Sequence, residues 1–251
     1  TTLFRSLQVE AHIVTVDTRK NNYLKETKLL NYSNPLIQKL IHEKNWLSLN
    51  EKQKAISIYN YVKDDILFGY NKDDKIKASK VIKDGYGQCN TKGILLMALY
   101  RSVGIPCRIH GFLIDKKLQK GAMTGIVYKS SPNKIFHSYV EAFINNKWYE
   151  LEGFILDNKY LSSLQKMFNK SNNYFIGYGV ASNNFFNPPV YFDCCNTYIQ
   201  KEGIVYDFGL YDDPDTLLNE HSQNMNIFKK IMFRFVGRHL MNRNVKRIRN
   251  N

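Results

Sequence analysis

An α+β fold is predicted for this chain of 251 residues from three observations. One segment, Asn90 to Val103, is apolar on nearly every side, as a helix buried on all faces must be. A second, Phe136 to Gly153, alternates around Asn145-Asn146 like a β-hairpin with a tight type I′ turn. The third is composition: 43% hydrophobic residues, with 17 Tyr, 15 Phe and 2 Trp, suffice for a large core and exclude a disordered or fibrous chain.

From the N-terminus, Leu7 to Val16 alternates loosely and is predicted as a strand. Leu36, Ile37, Leu40 and Ile41, just after Pro35, fall at helical spacing. A further helix is expected from Asn50, its N-cap, to Leu67, with Ala55, Ile58, Tyr59, Val62 and Ile66 on one face. A polar, lysine-rich stretch, Tyr70 to Lys80, leads into the glycine-punctuated turn Asp84-Gly-Tyr-Gly-Gln-Cys89 and the apolar helix behind it. Gly104 and Pro106 end that helix, and Cys107 to Leu113 follows as a strand. Beyond Gly153 short helices and loops are expected as far as Asn187-Pro-Pro189, then strands at Tyr191–Cys195 and Tyr198–Phe208, and a basic helix from about Asn226.

The formal charge is +14, and residues 222–251 carry more than half of it: eight Lys and Arg with no Asp or Glu. Such a segment suits an anionic partner. Ile227, Phe228, Ile231, Met232, Phe235, Val236 and Leu240 recur there at helical spacing, so the stripe is expected to dock on the body rather than on a membrane surface. Nucleic-acid binding lacks the further aromatic or groove-reading signals it needs. No apolar run of about 18 residues is present and the N-terminus shows no h-region, so a cytoplasmic protein without a retained signal peptide is expected.

Four cysteines are too few to staple a chain of this size. Cys194 and Cys195 have no CxxC partner or spaced histidine pair, and are expected to be buried or half-buried thiols rather than metal ligands. Asp212, Asp213 and Asp215 around Pro214 are expected to cap a turn, and His12 and His110 to be ordinary sheet residues. No cofactor or metal is predicted.

Cys89 is different because it opens a helix. The first backbone N–H groups and the positive end of the macrodipole stabilise a thiolate there, and the same groups can receive an oxyanion. Gly85 and Gly87 are expected to let the backbone turn sharply and a substrate approach the sulfur. With a two-residue turn at Asn145-Asn146, Tyr139 faces Glu152, and His137 lies one diagonal step from Glu152 on the same face. Cysteine, base and orienting acid are the parts that nucleophilic thiol chemistry requires.

The run GYGQCNTKGILLMALYRSVGIPCRIHGF, followed by HSYVEAFINNKWYELEG, resembles the transglutaminase-like superfamily, a branch of the papain-like fold. The resemblance covers roughly residues 51–156. It implies that Cys89 is the nucleophile, His137 the base, and Trp148 the tryptophan before the third triad member. At the family's aspartate position stands Glu152, so Glu150 and Asp157 compete for the role. For the second oxyanion donor, besides the Cys89 N–H, Tyr70 and Trp46 are the candidates.

The expected organisation is an N-terminal strand and helix in residues 1–50, a papain-like catalytic core in 51–156, and a C-terminal extension in 157–251. The expected chemistry is acyl transfer through a thioester. The donor is a small or peptide-like amide and the acceptor an amine or water, giving a transamidase or an amidase/peptidase. The rival is a non-catalytic binding module that uses the basic C-terminus to hold a partner.

Overall fold

The apolar segment behind Cys89 forms a helix, Cys89–Ser102, in which every residue from Asn90 to Arg101 is buried. Neighbours on several sides explain why it is apolar all round. It packs on the strands Cys107–Asp115 and Lys134–Ile144, and also on the helices Glu51–Asn60 and Ala78–Asp84. The computed structural model describes residues 21–221 and 227–251. The strand expected at Leu7–Val16, His12, and the side chains of Ile227 and Phe228 lie outside what is described.

A four-stranded antiparallel sheet carries the site, in the order Lys147–Leu151, Lys134–Ile144, Cys107–Asp115, Ile204–Tyr211. The chain is thus α+β, with the Cys89 helix packed on an antiparallel sheet. The hairpin has the register set by its turn. Asn145 and Asn146 have φ of 49° and 62°, and Ile144 pairs with Lys147, Ala142 with Tyr149 and Val140 with Leu151. Asparagine tolerates this left-handed conformation better than most residues, which a type I′ turn demands twice.

The Asn50 helix is capped as expected. Asn50 accepts from the Gln53 N–H while Gln53 accepts from the Asn50 N–H. It runs Glu51–Asn60 and closes in a π turn, Tyr61–Asp65. The aspartate cluster also caps: Asp213 accepts from Thr216 at the start of Pro214–Glu220.

Two expected strands differ. Tyr191–Cys195 forms no strand, because Cys194 adopts φ 52° and breaks the extended run. The Tyr198–Phe208 segment becomes a strand only at Ile204, after a 3-10 turn at Lys201–Gly203.

The basic helix is broken by a π turn, Phe233–Gly237, between Ile227–Met232 and Arg238–Arg249. A π turn adds a residue and shifts the phase of an apolar stripe. The expected docking stripe is therefore not what docks: Ile231, Met232, Phe235, Val236 and Leu240 stay 45–68% exposed. Met241, Val245 and Ile248 are buried instead, on the helix that packs against Asn158–Met167. Among the described residues no helix is long and apolar enough to cross a membrane.

Candidate active site

The turn that presents Cys89 is held from both sides. Gly85, at φ 69°, ends the helix Ala78–Asp84. Tyr86–Gly87 then pairs in parallel with Leu67–Phe68, the Leu67 and Gly69 N–H groups each donating across at 3.0 Å. Gly87 is required by close approach: a Cβ there would lie 2.7 Å from Thr91 Oγ1 and 2.9 Å from Lys92 Cγ. The space beside Gly87 is filled by the helix it leads into, so the expectation that this glycine admits a substrate is corrected.

Thr91 and Gln88 lock the helix mouth. The Gln88 N–H donates to Thr91 Oγ1 at 3.0 Å, and the Thr91 hydroxyl donates to Asn71 Oδ1 at 2.6 Å. The Gln88 side chain accepts from the Asn71 N–H at 2.8 Å and donates to Asp74 at 2.9 Å, tying the 71–74 loop to the cysteine. Burial pushes the Asp74 carboxyl up, against the hydrogen bonds from Gln88 and Asn90.

Cys89 is half-buried, and its thiol donates to Asn90 Oδ1 at 3.6 Å. The same oxygen accepts from the buried Ser138 hydroxyl at 2.8 Å. His137 and Glu152 are both fully buried, with His137 Nε2 2.8 Å from Glu152 Oε1. The other Glu152 oxygen accepts from the N–H groups of Ile199 and Gln200, each at 2.8 Å, so the carboxylate is fixed on both sides. Glu152 takes Nε2, so Nδ1 is the ring nitrogen left for Cys89. Burial pushes the His137 ring down, but the Cys89 sulfur, by charge and hydrogen bond, and then Glu152 outweigh it and hold the ring at about 10.

The other two carboxylates are engaged elsewhere. Glu150 accepts from the Tyr198 hydroxyl, and Asp157 from Arg249 and the Phe68 and Tyr160 N–H groups. Tyr70 lines the cleft that holds Cys89 and donates to Gln119. Trp46 does not line it; buried in the core, it donates to Ser57. Trp148 lies under the Arg108 guanidinium, 4.1 Å from ring to cation.

One further expectation changes. Cys195 is exposed, because the left-handed Cys194 turns the pair out of an extended path. His110 lies in the strand Cys107–Asp115 as expected and bridges Glu141 and Asp207; although burial pulls its ring down, those carboxylates raise it. Asn90, Ser138, Asp74 and Gln119 were missed by sequence reasoning. Adjacency to Cys89 and His137 could have drawn attention to the first two. Asp74 reaches the cleft from the 71–74 loop and Gln119 from the 3-10 turn Lys116–Gln119, both distant from Cys89 in sequence.

Residues 38–153 match the family model described as the transglutaminase-like superfamily, a span that includes Cys89, His137 and Glu152. No curated protein matches the chain. Among solved structures, it is similar to a candidate cysteine protease from Cytophaga hutchinsonii, at 15% identity and a TM-score of 0.46, over 77% of this chain and 47% of that one. It is also similar to a candidate protease from Parabacteroides distasonis, at 16% identity and a TM-score of 0.33, over 53% and 26%. The chain therefore spans about half the length of the first and about a quarter of the second.

Proposed function

From the match of residues 38–153 to the transglutaminase-like superfamily, we propose that the protein catalyses cysteine-dependent acyl transfer. The observation that carries this reading is the fully buried His137–Glu152 pair at 2.8 Å beside a cysteine that opens a helix. A histidine held by a carboxylate next to a helix-mouth thiol has the parts of an activated nucleophile.

The steps follow from those parts. With the proton of the pair on the His137 ring, Cys89 Sγ attacks a carbonyl carbon and a C–S bond forms. The oxyanion is received by the Cys89 N–H at the helix start. The bond to the leaving group breaks as His137 gives that group its proton, leaving a thioester. An amine or water then attacks, and His137 takes its proton as the C–S bond breaks. Glu152 holds the ring throughout. An amine acceptor makes the reaction a transamidation, and water makes it an amide or peptide hydrolysis.

The test is alkylation of Cys89 by iodoacetamide across a pH series, with mass spectrometry locating the adduct. Cys89 is expected to react faster than a free cysteine at neutral pH, and at least about tenfold slower in His137→Ala, the lower end of what a positioned proton-transfer group contributes. A rate equal to that of free cysteine and unmoved by His137→Ala would sink the proposal in favour of a non-catalytic module.

A further inference from the structure

The cleft that holds Cys89 has a volume of about 640 Å³. That lies within the range of ordinary small-molecule pockets, roughly 300–1,000 Å³. Around the cysteine the polar groups satisfy one another: Gln88 donates to Asp74, Tyr70 to Gln119 and Ser138 to Asn90. Much of the remaining lining is hydrocarbon. The sheet and the short helix Gly125–Ser130 supply Ile114, Val127 and Phe136, and the C-terminal segment supplies Met232, Val236 and Leu240.

Those last three side chains are 45%, 45% and 49% exposed, and Ile126, also in the lining, is 78% exposed. Large apolar side chains gathered at one cleft mark a place where something apolar binds. What binds is constrained by the cysteine: a thiol beside a satisfied polar cluster, continuous with hydrocarbon walls, suits a carbonyl followed by an aliphatic chain. Four cations, Lys72, Lys75, Lys230 and Arg234, line the cleft against two carboxylates, Asp73 and Asp74, with Arg234 paired to Asp73. The balance, with Lys72 and Lys230 exposed, favours negative charge there.

We propose that the acyl donor carries an aliphatic chain, seated against Val236 and Leu240, and an anionic leaving group drawn by Lys72 and Lys230. This inference rests on the acyl-transfer reading above. In the step, the Cys89 thiolate displaces the leaving group, which departs with the proton from His137, and the aliphatic acyl group stays on sulfur as a thioester.

The experiment compares acetyl and octanoyl esters of 4-hydroxybenzenesulfonate, with acylation of Cys89 followed by intact mass. The octanoyl ester is expected to acylate Cys89 at least about tenfold faster, since each buried methylene contributes about 0.8 kcal/mol. The octanoyl-to-acetyl ratio should fall severalfold in Val236→Asn and Leu240→Asn, both at half-exposed positions. Raising the ionic strength should slow the octanoyl ester. Equal rates for the two esters, a ratio unchanged in both variants, or no response to salt would overturn this substrate class and leave acyl transfer standing. No adduct from either ester would instead overturn the acyl-transfer reading. The cleft is then judged by calorimetric binding of octanoate to Cys89→Ala, and its absence would overturn the aliphatic assignment as well.

Discussion

Glu152 stands one methylene further from its backbone than an aspartate would, and both ends of its carboxylate are used. One oxygen meets His137 Nε2 and the other meets the N–H groups of Ile199 and Gln200. Glu152→Asp retracts the carboxylate, so one of the two contacts must lengthen. We expect the His137 ring in Glu152→Asp and in Cys89→Ala to titrate below its value of about 10, as NMR of the ring would show. The sign matters for stability. A histidine raised in the folded state contributes stability that is complete below the unfolded value, about 6.5, and is lost as pH rises towards 10. Lys92, one turn into the same helix, works in the opposite sense. It is fully buried, donating to the carbonyls of Lys63 and Ile155, and burial pulls it down to about 7. Its cost is full below about 7 and relieved as pH rises towards the unfolded value of about 10.4. Lys92→Met should therefore raise the melting temperature more at pH 6 than at pH 10. An equal change at both would show that Lys92 stays charged throughout.

At the scale of the element, the helix mouth depends on a glycine that cannot be enlarged and a threonine that cannot lose its hydroxyl. Gly87→Ala drives a methyl against Thr91 and Lys92. Overpacking of this kind costs about 1–3 kcal/mol, and here the strain falls next to Cys89. We expect a lower unfolding midpoint in urea together with slower alkylation of Cys89. A wild-type alkylation rate would show that the turn adjusts without moving the sulfur. Thr91→Val keeps the shape but removes the acceptor of the Gln88 N–H and the donor to Asn71. It should loosen the 71–74 loop, measurable as faster hydrogen exchange there.

Across the whole molecule, the C-terminal helix is joined to the body by its buried apolar face and by a buried ion pair. Arg249 donates to both oxygens of Asp157 and to the Phe68 carbonyl. Burial pushes the Asp157 carboxyl up, but Arg249 outweighs it and holds the group below the usual carboxylate range. That contribution is present above the unfolded value and is lost as pH falls through the folded one. Arg249→Met leaves Asp157 buried without its cation, a loss of about 3–5 kcal/mol. Its unfolding midpoint at pH 7 should drop accordingly, with the difference from wild type shrinking in acid. A midpoint within about 0.5 kcal/mol of wild type, as for an ordinary surface substitution, would count against the ion pair as a fastening.

The sequence by itself determined what is local or periodic. The apolar run behind Cys89 dictated a buried helix, two asparagines dictated the hairpin register, and that register brought His137 within reach of Glu152. Each follows from short-range geometry, in which spacing fixes the face. Tertiary structure alone decided what rests on partners distant in the chain. Glu152 meets the histidine, while Glu150 and Asp157 are bound by Tyr198 and Arg249, 48 and 92 residues away from them. The C-terminal stripe, legible as periodicity, lost its expected role to a π turn that shifted its phase. Its Met232, Val236 and Leu240 line the Cys89 cleft, a pairing that no local pattern encodes, because it depends on how segments distant in the chain pack together.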